Sequence, residues 1–104
     1  MRRVDEIAGH ALVSEKALEA YLVGRVGTLG GVALKYSNPA QAGYPDRLVL
    51  LPGGRVLWVE LKSRGKKPRP LQVQRHEQLR QLGQEVCVAD SRERVDEILE
   101  AQAH

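Results

Sequence analysis

The chain has 104 residues, of which 42% are hydrophobic and 28% are charged, and its formal net charge at pH 7 is +3. These values predict one folded domain with a single core, and no segment approaches the ~18 apolar residues that a membrane span needs. One cysteine excludes an internal disulfide. Since no signal-peptide pattern is visible, we expect a cytoplasmic protein.

The first helix and the segment before it are predicted from capping residues and apolar spacing. Residues 1–13 show little pattern and are expected to form an arm, either loose or a short helix, ahead of a domain that spans residues 14–104. Ser14 is a predicted N-cap. Apolar residues recur at helical spacing after it, and Gly30-Gly31 ends the helix.

The rest of the chain alternates strands with two further helices. Residues 52–54 (PGG) suit a three-residue hairpin loop with glycine in the left-handed conformation. The predicted elements are strands at 32–36, 46–51, 55–62 and 85–90, and helices at 71–83 and after Ser91. The order αβββαβα predicts an α/β domain with a mixed central sheet flanked by helices.

Two carboxylates are predicted to lie opposite each other in the hairpin. With PGG as the loop, Leu51 faces Arg55. Counting back from that pair places Asp46 opposite Glu60, and Lys62 lies on the same face. Both faces of the strand pair are mainly apolar, so we expect it to be central and covered on both sides. Opposed like charges are destabilising there, and a hard divalent cation with oxygen ligands, Mg²⁺ or Mn²⁺, explains them.

The spacing leaves a second interpretation of these residues open. Asp46 is then a turn residue after Pro45, while Glu60 and Lys62 lie at the frayed end of an edge strand. Solvent, rather than a metal, would stabilise the charges in that case.

The same residues resemble a nuclease signature. Pro45-Asp46, followed after a hairpin by Glu60-Leu61-Lys62, resembles the PD-(D/E)XK motif. Residues 14–91 are similar to the VRR-NUC branch, the virus-type replication-repair nuclease domain. The features that match are Ser14-Glu15, Lys35, Gly43-Tyr44-Pro45-Asp46, the PGGR hairpin, Leu71-Gln72 and Leu82-Gly83. The resemblance implies a restriction-endonuclease-like core and metal-dependent hydrolysis of phosphodiester bonds in DNA.

The resemblance also implies roles for the charged residues of the motif. Asp46, Glu60 and the backbone carbonyl of Leu61 would hold Mg²⁺ or Mn²⁺. Lys62 would orient the attacking water or offset the charge that develops in the transition state. Glu15 would bind a second metal or hold a metal's water.

Three further polar residues have competing interpretations. Glu15 also suits the helix dipole as a plain N-terminal acid, and Glu19, one turn on, competes for its role. Gln72 matches the glutamine of the branch and is expected to hydrogen-bond the water or Lys62; an isolated glutamine is more often a surface residue. His76, one turn after Gln72, is not predicted to be a ligand.

Basic residues dominate the middle of the chain, which indicates a polyanionic partner, with nucleic acid as the first candidate. The predicted DNA-binding residues are Lys35, Arg64, Lys66, Lys67, Arg69 and Arg75. Phosphate contacts of this kind position DNA without reading its sequence. The alternatives are a solvated loop without a ligand and, for Lys35, a residue that only flanks the sheet.

The resemblance to stand-alone domains of the branch implies a homodimer that acts on branched DNA, including four-way junctions. One chain has a single site, so paired nicks in a junction would require two copies of the chain. The competing hypothesis is a non-catalytic or partner-dependent nucleic-acid-binding module with the same fold. Asp46, Glu60, Lys62, Glu15 and Gln72 are all present together, which favours the enzyme.

Overall fold

The computed structural model describes residues 14–103, so the predicted arm at residues 1–13 lies outside the described residues. The elements are α1 (Glu15–Thr28), β1 (Val32–Lys35), β2 (Arg47–Leu51), β3 (Arg55–Leu61), α2 (Pro70–Gln81), β4 (Glu85–Ala89) and α3 (Arg92–Ala101). The predicted order αβββαβα is confirmed. Within this part of the chain, no helix has the length and apolar character to cross a bilayer.

The four strands form one mixed sheet in the order β1-β2-β3-β4. The first three strands are antiparallel neighbours, and β4 is parallel to β3, with α2 as the crossover between them. The predicted hairpin register is confirmed, since Leu51 pairs with Arg55. Gly53 and Gly54 both have positive φ angles, 83° and 78°, which a two-glycine loop accommodates without strain.

One face of the sheet forms the hydrophobic core with α1 and α3. Helix α1 contributes Leu18, Leu22 and Val26, which recur every four residues and are at most 1% exposed. The buried partners from the sheet and α3 are Val49, Leu57, Val59, Leu61, Val95, Ile98 and Leu99. This aliphatic core fixes β3 at the centre of the domain.

The other face of the sheet is covered only in part. Helix α2 packs on β4, and its Leu79 is buried. Away from α2, Val32, Leu34 and Val56 are 46%, 44% and 42% exposed on the same face. The prediction that the strand pair is covered on both sides is therefore wrong near the hairpin loop, because the 12-residue α2 does not extend over that part.

Candidate active site

Asp46 lies just before β2 and contacts the end of β3. Its backbone carbonyl accepts a hydrogen bond from Tyr36 N at 2.8 Å, which continues the pairing of β1 with β2. Its carboxylate Oδ2 accepts one from Leu61 N at 3.3 Å. Leu61 directly follows Glu60, so the predicted opposition of Asp46 and Glu60 agrees with the structure.

Glu60 is buried in the middle of the sheet. Its strand lies between β2 and β4, and the residue is 1% exposed. The alternative of a frayed, solvated edge strand is therefore wrong for this carboxylate. A buried carboxylate needs a partner for its charge or keeps its proton.

Contacts to Glu60 come from α2 and from Lys62. Gln72 donates from Nε2 to Glu60 Oε2 at 3.1 Å, and Lys62 Nζ lies 3.9 Å from the same oxygen. His76 Nε2 lies 3.5 Å from the other oxygen, Oε1. Both Oε1 and this imidazole nitrogen are buried without a hydrogen-bond partner.

The electrostatics of the site favour a protonated Glu60 when no cation is bound. Burial, with the neighbouring Asp46 carboxylate as the next cause, raises the pKa of Glu60 to about 8, against a smaller lowering by Lys62. Burial also lowers the pKa of His76, with Arg80 and Lys62 as secondary causes. Ionisation of Glu60 beside Asp46 is therefore unfavourable, and an added positive charge would favour it.

Lys62 and Gln72 are held in place by the backbone around them. Lys62 N donates to Ala89 O at 2.9 Å, which ties the end of β3 to β4. Gln72 Oε1 accepts from Arg69 N at 2.9 Å in the first turn of α2. The Gln72 side chain hydrogen-bonds Glu60 and Arg69 N and not Lys62, so the expected contact with Lys62 and the surface-residue alternative are both wrong. The expected hydrogen bond to the attacking water stays a prediction.

Glu15 and Glu19 of α1 line a cleft of about 490 Å³ beside Asp46. Its lining residues are Glu15, Lys16, Glu19, Lys35, Tyr36, Asp46 and Leu61. Glu19 is engaged by Arg47, whose Nη2 lies 2.9 Å from its Oε2. The charge of Glu15 reaches Glu60 and contributes to its raised pKa. The geometry thus favours Glu15 over its competitor as the acid that α1 brings to the site.

The predicted DNA-binding residues lie in three places: around the loop after β3, in the cleft, and, for Arg75, on α2. Arg64, Lys66 and Lys67 are exposed on the loop after β3, and Arg69 is exposed where α2 begins. Lys35 lines the cleft instead of lying in that loop. The loop itself is anchored, since Gly65 N donates to Asp90 Oδ2 at 3.0 Å.

Arg75 is engaged within the protein. Its Nε donates to Ala42 O at 2.9 Å, and its guanidinium lies 5.2 Å from the centre of the Tyr44 ring. Both contacts are to the segment that leads into Pro45 and Asp46. The structure therefore gives Arg75 a structural contact beside the site, and its predicted contact with DNA stays a prediction.

His76 is part of this site, although the sequence did not predict a role for it there. It is 2% exposed and contacts Glu60. Its position four residues after Gln72 is the signal that was available, because residues i and i+4 share a helix face. What the sequence lacked was the direction of that face, which depends on how α2 packs on the sheet.

The donor set of the site fits a hard divalent cation. Within residues 14–103, no three His, Cys, Asp or Glu side chains form a preassembled metal-binding group. The buried Oε1 of Glu60 has no hydrogen-bond partner, however, and Asp46 lies beside it. Two adjacent carboxylates near a backbone carbonyl supply the oxygen ligands that Mg²⁺ and Mn²⁺ prefer.

Comparisons with known proteins agree with this geometry. No protein-family model matches the chain. The chain is 44% identical over 82 residues to "Putative nuclease p44" of Acyrthosiphon pisum secondary endosymbiont phage 1, covering 79% of this chain and 88% of that protein. A solved structure described as a VRR_NUC domain superimposes with a TM-score of 0.79 at 38% identity, covering 83% of this chain and 94% of the other. A second structure, described as a VRR_NUC domain protein, has a TM-score of 0.67 at 18% identity over 86% of this chain and 87% of its own, which supports the fold alone.

Proposed function

This chain belongs to the VRR-NUC family of nuclease domains, and we propose that it is a metal-dependent endonuclease that hydrolyses phosphodiester bonds in DNA. The observation that carries the proposal is the buried Glu60 beside Asp46, with Lys62 3.9 Å from the Glu60 carboxylate. The phage relative described as a nuclease supports the same reaction class.

In this proposal Asp46 and Glu60 hold the cation, together with the backbone carbonyl of Leu61. When bound there, Mg²⁺ or Mn²⁺ would polarise the scissile phosphate and would make water a better nucleophile near neutral pH. Glu60 must lose its proton to serve as a ligand, and a bound cation would offset both the burial and the repulsion by Asp46 that raise its pKa. Cleavage in Mg²⁺ alone and in Mn²⁺ alone distinguishes which of the two ions the protein uses.

Lys62, Gln72 and Glu15 act around that centre. The Lys62 ammonium stabilises negative charge that develops on the phosphate oxygens or orients the attacking water. Gln72 holds the Glu60 carboxylate from α2. Glu15, which lines the cleft beside Asp46, binds a second cation or orients water toward the phosphate.

DNA contacts in this proposal come from the basic loop after β3. The exposed Arg64, Lys66, Lys67 and Arg69 bind backbone phosphates, and Lys35 binds a phosphate in the cleft. Among the described residues, aromatic side chains near the site are packed edge to face on one another, as Tyr36 is on Trp58 and Tyr44. The contact set therefore favours recognition of DNA shape and backbone over base sequence.

We further propose a homodimer that acts on branched DNA, such as four-way junctions. The partly uncovered sheet face around Val32, Leu34 and Val56 supports the dimer, because exposed apolar patches mark interaction surfaces. A two-fold dimer brings two copies of the site to one DNA molecule. Paired cuts in a junction need two such sites.

The test is cleavage of a labelled four-way junction, run beside matched duplex and single-stranded DNA with Mg²⁺, Mn²⁺ or EDTA. We expect metal-dependent nicks that are paired across the junction, absent from the linear controls and lost in Lys62→Ala. Binding without cleavage under every metal would contradict the proposal. It would favour the non-catalytic or partner-dependent nucleic-acid-binding module.

A further inference from the structure

Two polar atoms face each other under α2 without a hydrogen bond. Glu60 Oε1 and His76 Nε2 are 3.5 Å apart, and neither has another hydrogen-bond partner. Both residues are at most 2% exposed. An unsatisfied donor or acceptor at such depth is destabilising, so a hydrogen bond between the two atoms would stabilise both.

The contact is one half of a symmetrical arrangement on α2. Gln72 and His76 are four residues apart and lie on one face of the helix in successive turns. Gln72 donates to Oε2 of Glu60, and His76 faces Oε1. Together, the two side chains contact both oxygens of the Glu60 carboxylate.

We propose that His76 is a positioning residue for Glu60. The Nε2–H of His76 donates to Oε1 of Glu60 and, together with Gln72, fixes this carboxylate as a metal ligand. The inference rests on the proposed function, because it concerns Glu60 in its metal-binding form. Each carboxylate oxygen has two lone-pair sites. An oxygen that accepts from α2 on one side thus keeps a lone pair for a cation on the other.

Asp46 and Leu61, the other proposed metal-binding residues, line the cleft beside α1 and β1, whereas neither Glu60 nor His76 lines it. His76 instead lies under α2 on the side of Glu60 where Gln72 also lies. Partners that orient a metal ligand in this way typically contribute a factor of 10–100 to metal affinity.

The test is Mn²⁺ affinity, measured by electron paramagnetic resonance on the purified full-length chain. His76→Leu removes the donor and retains an apolar side chain, whereas His76→Gln retains an N–H donor on a flexible chain. We expect His76→Leu to weaken Mn²⁺ binding 10–100-fold and His76→Gln to recover most of the loss. Glu77→Gln, one residue along on the exposed side of α2, is the matched control and should bind as the wild type does.

A second measurement does not depend on any variant folding. Long-range ¹H–¹⁵N correlation spectra of the Mg²⁺-loaded wild-type protein report which imidazole nitrogen carries the proton. We expect the proton on Nε2 of His76. A neutral ring protonated only on Nδ1 would overturn the inference, since Nε2 could then not donate.

The outcomes separate this inference from the function on which it rests. Wild-type affinity in a folded His76→Leu protein would overturn the role of His76 alone. Direct ¹⁴N coupling between bound Mn²⁺ and His76 would also overturn it, in favour of a ligand. If the wild-type protein binds no Mn²⁺, or Glu60→Ala binds as well as the wild type, the proposed function fails together with the inference.

Discussion

The side-chain amide of Gln72 donates to Glu60 Oε2 at 3.1 Å and so ties the first turn of α2 to the end of β3. The same amide group accepts from Arg69 N at 2.9 Å with its oxygen. One side chain therefore both satisfies an orphan N–H at the start of α2 and holds the buried carboxylate. Helix position and site geometry are coupled through it.

Gln72→Ala should therefore reduce activity more than stability. We expect cleavage to fall about 10–100-fold, because the orientation of Glu60 is lost. Loss of the contact to Arg69 N should cost about 1 kcal/mol, or a decrease of roughly 4–8 °C in the melting temperature. Gln74→Ala, on an exposed position of the same helix, is the control for both measurements. Equal cleavage by the two variants would exclude a role for Gln72 in the site.

The raised pKa of Glu60 predicts a specific pH dependence of stability in EDTA. The unfolded carboxyl ionises near 4.5, whereas the folded one has a pKa of about 8. Between pH 6.5 and 8 the folded state keeps a proton that the unfolded state has lost. The free energy of unfolding should therefore decrease as pH rises, by roughly 2 kcal/mol over this window.

His76 does not mask this effect. Its pKa is lowered in the folded state from 6.5, so its contribution has the opposite sign and is largely complete above that pH. Urea denaturation at a series of pH values measures the slope, and Glu60→Gln should remove it. A slope that persists unchanged in Glu60→Gln would show that another group causes it.

Substitution of Lys67 tests whether the basic loop after β3 contacts DNA phosphates. Lys67 is exposed on the segment that follows β3, and one phosphate contact contributes about 0.9 to the slope of log affinity against log salt. Lys67→Gln should lower that slope by about this amount for every DNA sequence, while Mn²⁺ affinity stays unchanged. Arg55→Gln, at the opposite end of β3, removes the same charge and should not alter the slope. Identical behaviour of the two variants would argue that the loop does not contact DNA.

Substitution of Val56 tests whether the uncovered face of the sheet forms the dimer interface. Val56 is 42% exposed on the same face as Val32 and Leu34. A lysine there would bury an unpaired charge in a dimer, so Val56→Lys should sediment as a monomer while the wild type sediments as a dimer. Val23→Lys, at a 40% exposed position on α1, should leave the dimer intact. A monomeric wild-type protein would contradict this part of the proposal.

Sequence patterns predicted the strands, the hairpin and the pairing of Asp46 with Glu60 because each depends on local rules. A three-residue loop fixes the register, and the register fixes which side chains are opposite each other. The engagement of Glu19 by Arg47 and of Arg75 by Ala42 depends on how distant segments pack, over separations of 28 and 33 residues. No local pattern encodes those contacts.

The way in which α2 packs on the sheet explains the remaining differences between the predicted and the observed site. Its position over β4 turns Gln72 and His76 toward Glu60 and leaves the sheet open around Val56. The helical spacing of residues 71–83 predicted a helix but not which part of the sheet it covers. The same packing choice thus accounts for the partner of Gln72, the burial of His76 and the uncovered sheet face.

The most direct test of the central claim is the rate at which Glu60→Gln cleaves a labelled four-way junction in Mg²⁺ or Mn²⁺. The substitution keeps the size of the side chain and removes the charge that a divalent cation requires. We predict no detectable cleavage by Glu60→Gln. In EDTA at pH 8 this variant should be at least as stable as the wild type, because a neutral group replaces a buried ionisable one. Cleavage at the wild-type rate by folded Glu60→Gln would contradict the account.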